Sequence, residues 1–184
     1  DGNVHITLDG GGSWSNISNT LPNRWITRVM FDPFNEEKMY VSLSGFRWDE
    51  PLSHIFMSTD LGSTWVSISS NLPEIPVNCI VLDPEREGHI YIGTDSGIFF
   101  TSNTGLEWGS HSYNMPRVPV IDLKIHNPTR KLIAGTYGLS AFSLDLDQNI
   151  SGDINSSSYF VESDISSDFL YVTKIAQFSE PSLT

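Results

Sequence analysis

The side chains in this sequence that could do chemistry are carboxylates set beside aromatic, cationic or hydroxyl groups, and they occur in three settings. The first is the run Phe46, Arg47, Trp48, Asp49 and Glu50. Glycosidic bond cleavage needs two carboxyl groups on opposite sides of one sugar, roughly 5–10 Å apart, and adjacent residues rarely face a sugar that way. Stacking on a sugar ring or anchoring a protein contact suits this aromatic and charged mixture better. The second setting is Asp145, Asp147, Asn149 and Asp153, at positions one, three, five and nine of a calcium-loop pattern. Ile150 stands where that loop needs glycine and Ser156 where it needs Glu, so a solvated acidic segment is expected. The third is an octet, Ser/Thr-x-Asp-x-Gly-x-Ser/Thr-Trp. It is complete in Thr7, Asp9, Gly11, Ser13, Trp14 and in Ser58, Asp60, Gly62, Thr64, Trp65. A degenerate copy has Thr101, Asn103, Gly105 and Trp108, with Glu107 in the hydroxyl position.

The octet describes a turn rather than a reaction. A short acidic side chain can accept the backbone N–H groups of a tight hairpin, glycine supplies a positive φ, and an indole buries a large area between hairpin and blade. A structural role is therefore expected for Asp9 and Asp60, and no metal or cofactor is called for. The histidines, His5, His54, His89, His111 and His126, show no ligand spacing. Cys79, the single cysteine, lies in an apolar run and reads as a small buried hydrophobe; it excludes an internal disulfide framework. Sequons at Asn16, Asn149 and Asn155 bear on function only in a eukaryotic secretory pathway.

The elements that must carry these groups follow from an internal repeat. Trp14, Trp65 and Trp108 each stand eight residues before a proline, Pro22, Pro73 and Pro116. A second proline follows at Pro33, Pro84 and Pro128, then a strand-like run beginning at Met39, Ile90 and Leu132. The tryptophans are 51 and then 43 residues apart, and the extra eight residues fall in the stretch Gly45–Ser53. Short runs rich in Val, Ile, Phe and Tyr, bounded by Gly, Pro, Asn and Asp, predict four strands per repeat. For one repeat these are Ile26–Phe31, Met39–Leu43, His54–Ser58 and Thr64–Ser69; for the next, Val77–Leu82, His89–Gly93, Ile98–Ser102 and a weak strand near Trp108–Ser112. Four strands per 40–50 residues is the pattern of a β-propeller blade, giving an all-β fold of about three blades.

The octet resembles the Asp-box, or BNR repeat, of sialidases, xyloglucanase-type glycosidases and sortilin-type receptors. The run Val41–Leu144 is similar to the last blades of secreted bacterial BNR propellers, although Leu139 stands where a closing GTYGRG-like strand has arginine. The resemblance implies an Asp-box propeller over residues 1–146, with the octets on the face away from any active centre. It also implies an extracellular or cell-surface location. A sialidase would need an arginine triad and an Arg-Ile-Pro signature; the signature is absent, and Arg24, Arg28, Arg47, Arg86, Arg117 and Arg130 stand singly.

Composition narrows the partners. The 184 residues carry 22 acidic and 10 basic side chains, a formal charge of −12, which disfavours nucleic acid and anionic membrane surfaces. No apolar run is long enough for a membrane-spanning helix. The sequence starts at Asp1 with no signal peptide, as a mature, processed or cut start does. Residues 147–184 are acidic and Ser-rich, a linker or the start of a following β module. Three blades are fewer than a closed ring has, so the rest of the propeller, or another copy, is expected to cover the open faces. The function expected is glycan or protein binding without catalysis by this segment. The alternatives are a piece of a glycoside hydrolase whose catalytic residues lie elsewhere, and a purely structural or assembly-factor propeller.

Overall fold

The computed structural model describes residues 2–45, 54–112 and 115–147, together with the backbone of two further strands at Tyr159–Asp164 and Tyr171–Gln177. The chain begins with a hairpin of β1 (His5–Ile6) and β2 (Ser15–Asn16). Two antiparallel four-stranded meanders follow. Blade one comprises β3 (Trp25–Phe31), β4 (Met39–Ser44), β5 (Ile55–Ser58) and β6 (Val66–Ser67). Blade two comprises β7 (Val77–Leu82), β8 (Ile90–Thr94), β9 (Gly97–Thr101) and β10 (Gly109–Ser110). Blade three has β11 (Val120–His126), β12 (Lys131–Thr136) and β13 (Ala141–Asp145). The last two strands, β14 and β15, pair as a separate hairpin. This is the all-β, propeller-blade architecture that the repeat predicts.

The blades stack because their strands are apolar on both faces. Every residue of β8 is buried, as is every residue of β4 up to Leu43. Alternation along β4 then divides the core. Met39, Val41 and Leu43 pack with Val4, Ile17, Phe56 and Trp65 against the first hairpin. Tyr40 faces the other way and joins Ile55, Ile80, Ile92 and Trp108 between blades one and two. Cys79, Tyr91 and Ile98 meet Val120, Leu123 and Leu132 between blades two and three, so Cys79 is buried as the sequence suggests.

Two features were not legible in the pattern of residues. The fourth strands, expected as Thr64–Ser69 and near Trp108–Ser112, are only Val66–Ser67 and Gly109–Ser110. Beyond them a serine hydroxyl bonds the third strand or the residue leading into it: Ser18 Oγ accepts from the Val4 N–H at 2.6 Å, Ser69 Oγ from that of His54 at 3.2 Å, and Ser112 Oγ from that of Ile98 at 2.9 Å. Each first strand also carries a bulge at one repeat position, Thr27, Asn78 and Ile121. A bulge frees the side chain to point away from its own sheet. Thr27 Oγ1 donates to the Val77 carbonyl (2.8 Å) and Asn78 Nδ2 to the Val120 carbonyl (3.2 Å), tying each blade to the next.

Candidate functional site

The octet hairpins lie at one end of the blades and are saturated with internal bonds. Asp60 accepts from the Ser58 hydroxyl (2.7 Å), the Thr64 N–H (2.8 Å) and the Thr64 hydroxyl (2.6 Å). Asp9 repeats the set with Thr7 and Ser13, at 2.8, 2.9 and 2.7 Å. Asn103 keeps two of these bonds, from the Thr101 hydroxyl and the Glu107 N–H, since Glu107 has no hydroxyl to give. The Ser13 N–H holds the Asp9 carboxyl down at about 2, and the Thr64 hydroxyl does the same for Asp60. Lone pairs engaged in this way are not available to a metal or a substrate. Gly11, Gly62 and Gly105 have φ of +99, +84 and +83, and a Cβ on Gly62 would lie 2.4 Å from Ile17 of the preceding hairpin.

That last contact extends the expected place of the indoles to the preceding blade. Trp65 packs on Met39 and Phe56 of its own blade but also reaches beyond it: its Nε1–H donates to the Ile17 carbonyl of the preceding hairpin at 2.7 Å. Trp108 donates likewise to Ile68 of blade one at 2.8 Å. They are 7% and 4% exposed, whereas Trp14 is 62% exposed. A stabilising role equal to that of Trp65, expected for Trp14 from the octet, is therefore not seen among the described residues.

The opposite end of blade one is where it departs from its neighbours. Arg24 and Trp25 stand where the other blades have Ile75-Pro76 and Val118-Pro119. Trp25 is 47% exposed and pairs with Ser44, at the end of β4. The run Phe46, Arg47, Trp48, Asp49 and Glu50 begins two residues after Ser44 and lies outside the described residues, but Gly45 and His54 on either side of the insertion are visible. Gly45 packs so closely that a Cβ there would meet His54 Cε1 at 2.4 Å and Arg24 at 3.3 Å, so only glycine leaves the imidazole in place.

His54 is buried, with Nδ1 3.2 Å from the Leu43 carbonyl and 3.4 Å from the Arg24 guanidinium. Burial, and then the Arg24 charge, lowers its pKa, which keeps the ring neutral. With the Nδ1 proton assigned to the Leu43 carbonyl, Nε2 is left as an acceptor. His54 lines a cleft of about 140 Å³ together with Ser69, Leu72, Glu74 and Thr94. The cleft is walled by hydroxyls, apolar side chains and one carboxylate. Sequence reasoning singled out the insertion, read Arg24 as a lone arginine and His54 as a histidine without ligand spacing, and did not weigh Trp25; aligning the three repeats position by position exposes the Arg-Trp pair.

The calcium pattern resolves differently. Asp145 and Asp147 align with Ser58 and Asp60 of the octet, and Gly152 falls where tryptophan would stand. Asp145 accepts the Asp147 N–H at 3.0 Å, and Asp147 pairs with Arg86 at 2.7 Å and Arg130 at 3.5 Å. Asn149 and Asp153 lie outside the described residues, among which no cluster of three metal-ligating side chains occurs. Likewise, no helix among them is long and apolar enough to cross a membrane.

No family model matches the chain, and no curated protein is similar to it in sequence. Solved structures are. An ancestral GH74 enzyme superposes with a TM-score of 0.64 at 18% identity, over 82% of this chain and 22% of its own length. The GH74 xyloglucanase from Xanthomonas campestris gives 0.50 at 15% identity, over 72% and 24%. YCF48 from Cyanidioschyzon merolae gives 0.54 at 13% identity, over 78% and 47%. The chain thus spans under a quarter of these GH74 enzymes and about half of YCF48. At such identities what is shared is the fold, and the chain is a run of β-propeller blades.

Proposed function

We propose that this chain is a segment of an Asp-box propeller, extracellular or at the cell surface, that binds a glycan or protein ligand through one end of blade one and is not catalytic by itself. The observation that carries the reading is convergence. Two departures of blade one from the repeat, Arg24-Trp25 and the eight-residue insertion, meet beside His54, which lines a cleft shared with Val77, Ile92 and Thr94 of blade two. A repeat position that differs in a single blade is freed from the packing that holds the others alike, and loops at blade ends are where binding groups gather. Half-exposed Trp25 offers a stacking face, and the adjoining insertion carries Phe46 and Trp48 in its sequence. The Glu74 carboxylate and His54 Nε2 would accept hydrogen bonds from ligand hydroxyls. The Asp-box hairpins stand at the other end and serve the fold.

A second reading, part of a GH74-like glycoside hydrolase, draws on two of the superposed structures. Glu74 is the single carboxylate among the described residues lining the cleft, and hydrolysis takes two. Asp49, Glu50 or blades outside this chain would have to supply the second. One experiment separates the readings: an array of sialylated and xyloglucan-derived oligosaccharides is probed with the chain, and the bound sugar is recovered and weighed by mass spectrometry. Retention of intact sugar, lost in Trp48→Ala at unchanged thermal stability, supports binding. Shortened sugar supports hydrolysis, and no retention of any sugar removes the glycan reading.

A further inference from the structure

We infer that the exposed face of the β1–β2 hairpin is one half of an inter-blade joint, and that it docks a further blade of this same repeat through a recognition code visible twice within the chain. The inference is independent of the ligand reading above.

The joint is seen complete at two places. Trp65 Nε1–H donates to the Ile17 carbonyl at 2.7 Å, and its backbone N–H donates to Thr20 Oγ1 at 3.1 Å. Trp108 Nε1–H donates to the Ile68 carbonyl at 2.8 Å, and its backbone N–H to Asn71 Oδ1 at 2.8 Å. The accepting segments are Ile17-Ser18-Asn19-Thr20-Leu21-Pro22 and Ile68-Ser69-Ser70-Asn71-Leu72-Pro73. The code therefore reads Ile-Ser-x-Thr/Asn-Leu-Pro, and three of its residues have a visible task. The isoleucine carbonyl takes the indole N–H, and its side chain sits against the octet glycine, 2.4 Å from a Cβ on Gly62 and 2.8 Å from one on Gly105. The serine replaces the end of the fourth strand. The Thr or Asn oxygen takes the tryptophan N–H.

The first hairpin holds the other half of this joint, and no described residue occupies it. Trp14 is 62% exposed, and among the described residues its Nε1 has no acceptor. Gly11 carries φ +99 like Gly62, yet a Cβ there would meet nothing within 4 Å. The internal bonds of Asp9 are already made, so the hairpin is formed and lacks only its counterpart. A second copy of this chain does not supply it, because Ile17–Pro22 and Ile68–Pro73 are already held by Trp65 and Trp108. The remaining equivalent begins His111-Ser112, with histidine in place of isoleucine.

The test supplies a blade that carries the code. In a tandem, residues 25–96 are repeated ahead of Asn3, which adds blade one, with its Ile68–Pro73 segment, and two inner strands for the first hairpin. Indole N–H exchange with deuterium is followed by NMR, with Trp14 assigned by comparison with Trp14→Phe. In the unextended chain Trp65 and Trp108 exchange slowly and Trp14 fast. In the tandem Trp14 joins the slow class, and Trp14→Phe, nearly silent in the chain alone, lowers the melting temperature. Fast exchange at Trp14 with Trp65 and Trp108 still slow overturns the inference. So does a tandem in which every indole exchanges fast, because a quasi-equivalent blade then does not fit. Protection of Trp14 that rises with concentration of the unextended chain overturns it in favour of a second copy.

Discussion

Replacing Trp65 by alanine and Trp14 by alanine should have very different costs, although the two residues hold the same place in the octet. Trp65 is 7% exposed and packs with Val4, Ile17, Met39 and Phe56. Truncating a buried tryptophan costs about 3–5 kcal/mol from lost transfer energy and the cavity left behind. The Ile17 carbonyl also loses the indole N–H at 2.7 Å, which adds about 1 kcal/mol because the acceptor is left in the cavity. Trp14 keeps 62% of its surface in water and has no such acceptor among the described residues, so its truncation should cost under about 1 kcal/mol, in the range of surface substitutions away from special features. For a chain of this size each kcal/mol lowers the melting temperature by about 2–4 °C. Trp65→Ala should therefore melt at least about 6 °C lower and Trp14→Ala within about 4 °C of the parent. Urea denaturation followed by far-ultraviolet circular dichroism supplies the free energies. Equal destabilisation by the two substitutions would refute the reasoning that the indole works on the preceding blade.

Three further outcomes follow from the described contacts. Arg130→Met should cost about 3–5 kcal/mol, because Asp83 is buried and receives both guanidinium nitrogens, at 3.0 and 2.6 Å; Asp83→Asn in the same chain should recover part of the loss in a denaturation cycle. Asp60 is held at about 2 against an ordinary 3.8, chiefly by Thr64. Its contribution is complete above about pH 4 and is lost as pH falls through about 2, so Asp60→Asn should flatten the stability profile in that window. His111, pushed down to about 4 by burial beside Tyr91 and Phe100, is neutral when folded and protonates more readily when unfolded. Stability should decline as pH falls from 6.5 through about 4, and His111→Leu should remove that part of the slope.

Much of the fold is written in one-dimensional regularities. The tryptophan-to-proline spacing locates the repeats, the apolar runs locate the inner strands to within a residue or so, and the eight-residue difference marks the insertion. What escaped belongs between blades rather than within them. Nothing local to Trp65 says that its indole will find Ile17, 48 positions earlier, or that Thr27 and Asn78 occupy bulges and reach the next sheet. The short fourth strands escaped for a related reason: a serine hydroxyl can end a ladder as well as a backbone amide does, and propensity does not distinguish the two. Within the candidate site the insertion announced itself by length and aromatic content. Arg24 and Trp25 did not, because one substitution pair in an otherwise regular strand is visible only when the three repeats are compared position by position. His54 looked like a lone histidine at a strand start; its importance comes from Gly45, Leu43 and Arg24 closing around it.

The central claim, that ligand contact belongs to the end of blade one bearing Trp25 and His54, is tested most directly by titrating the isotopically labelled chain with a xyloglucan oligosaccharide and following amide and indole resonances. The account predicts shifts at Trp25, Gly45, His54 and Glu74 and none at Asp9, Asp60 or Asn103. Shifts confined to the octet hairpins, or no shift at any residue around the cleft, would contradict it.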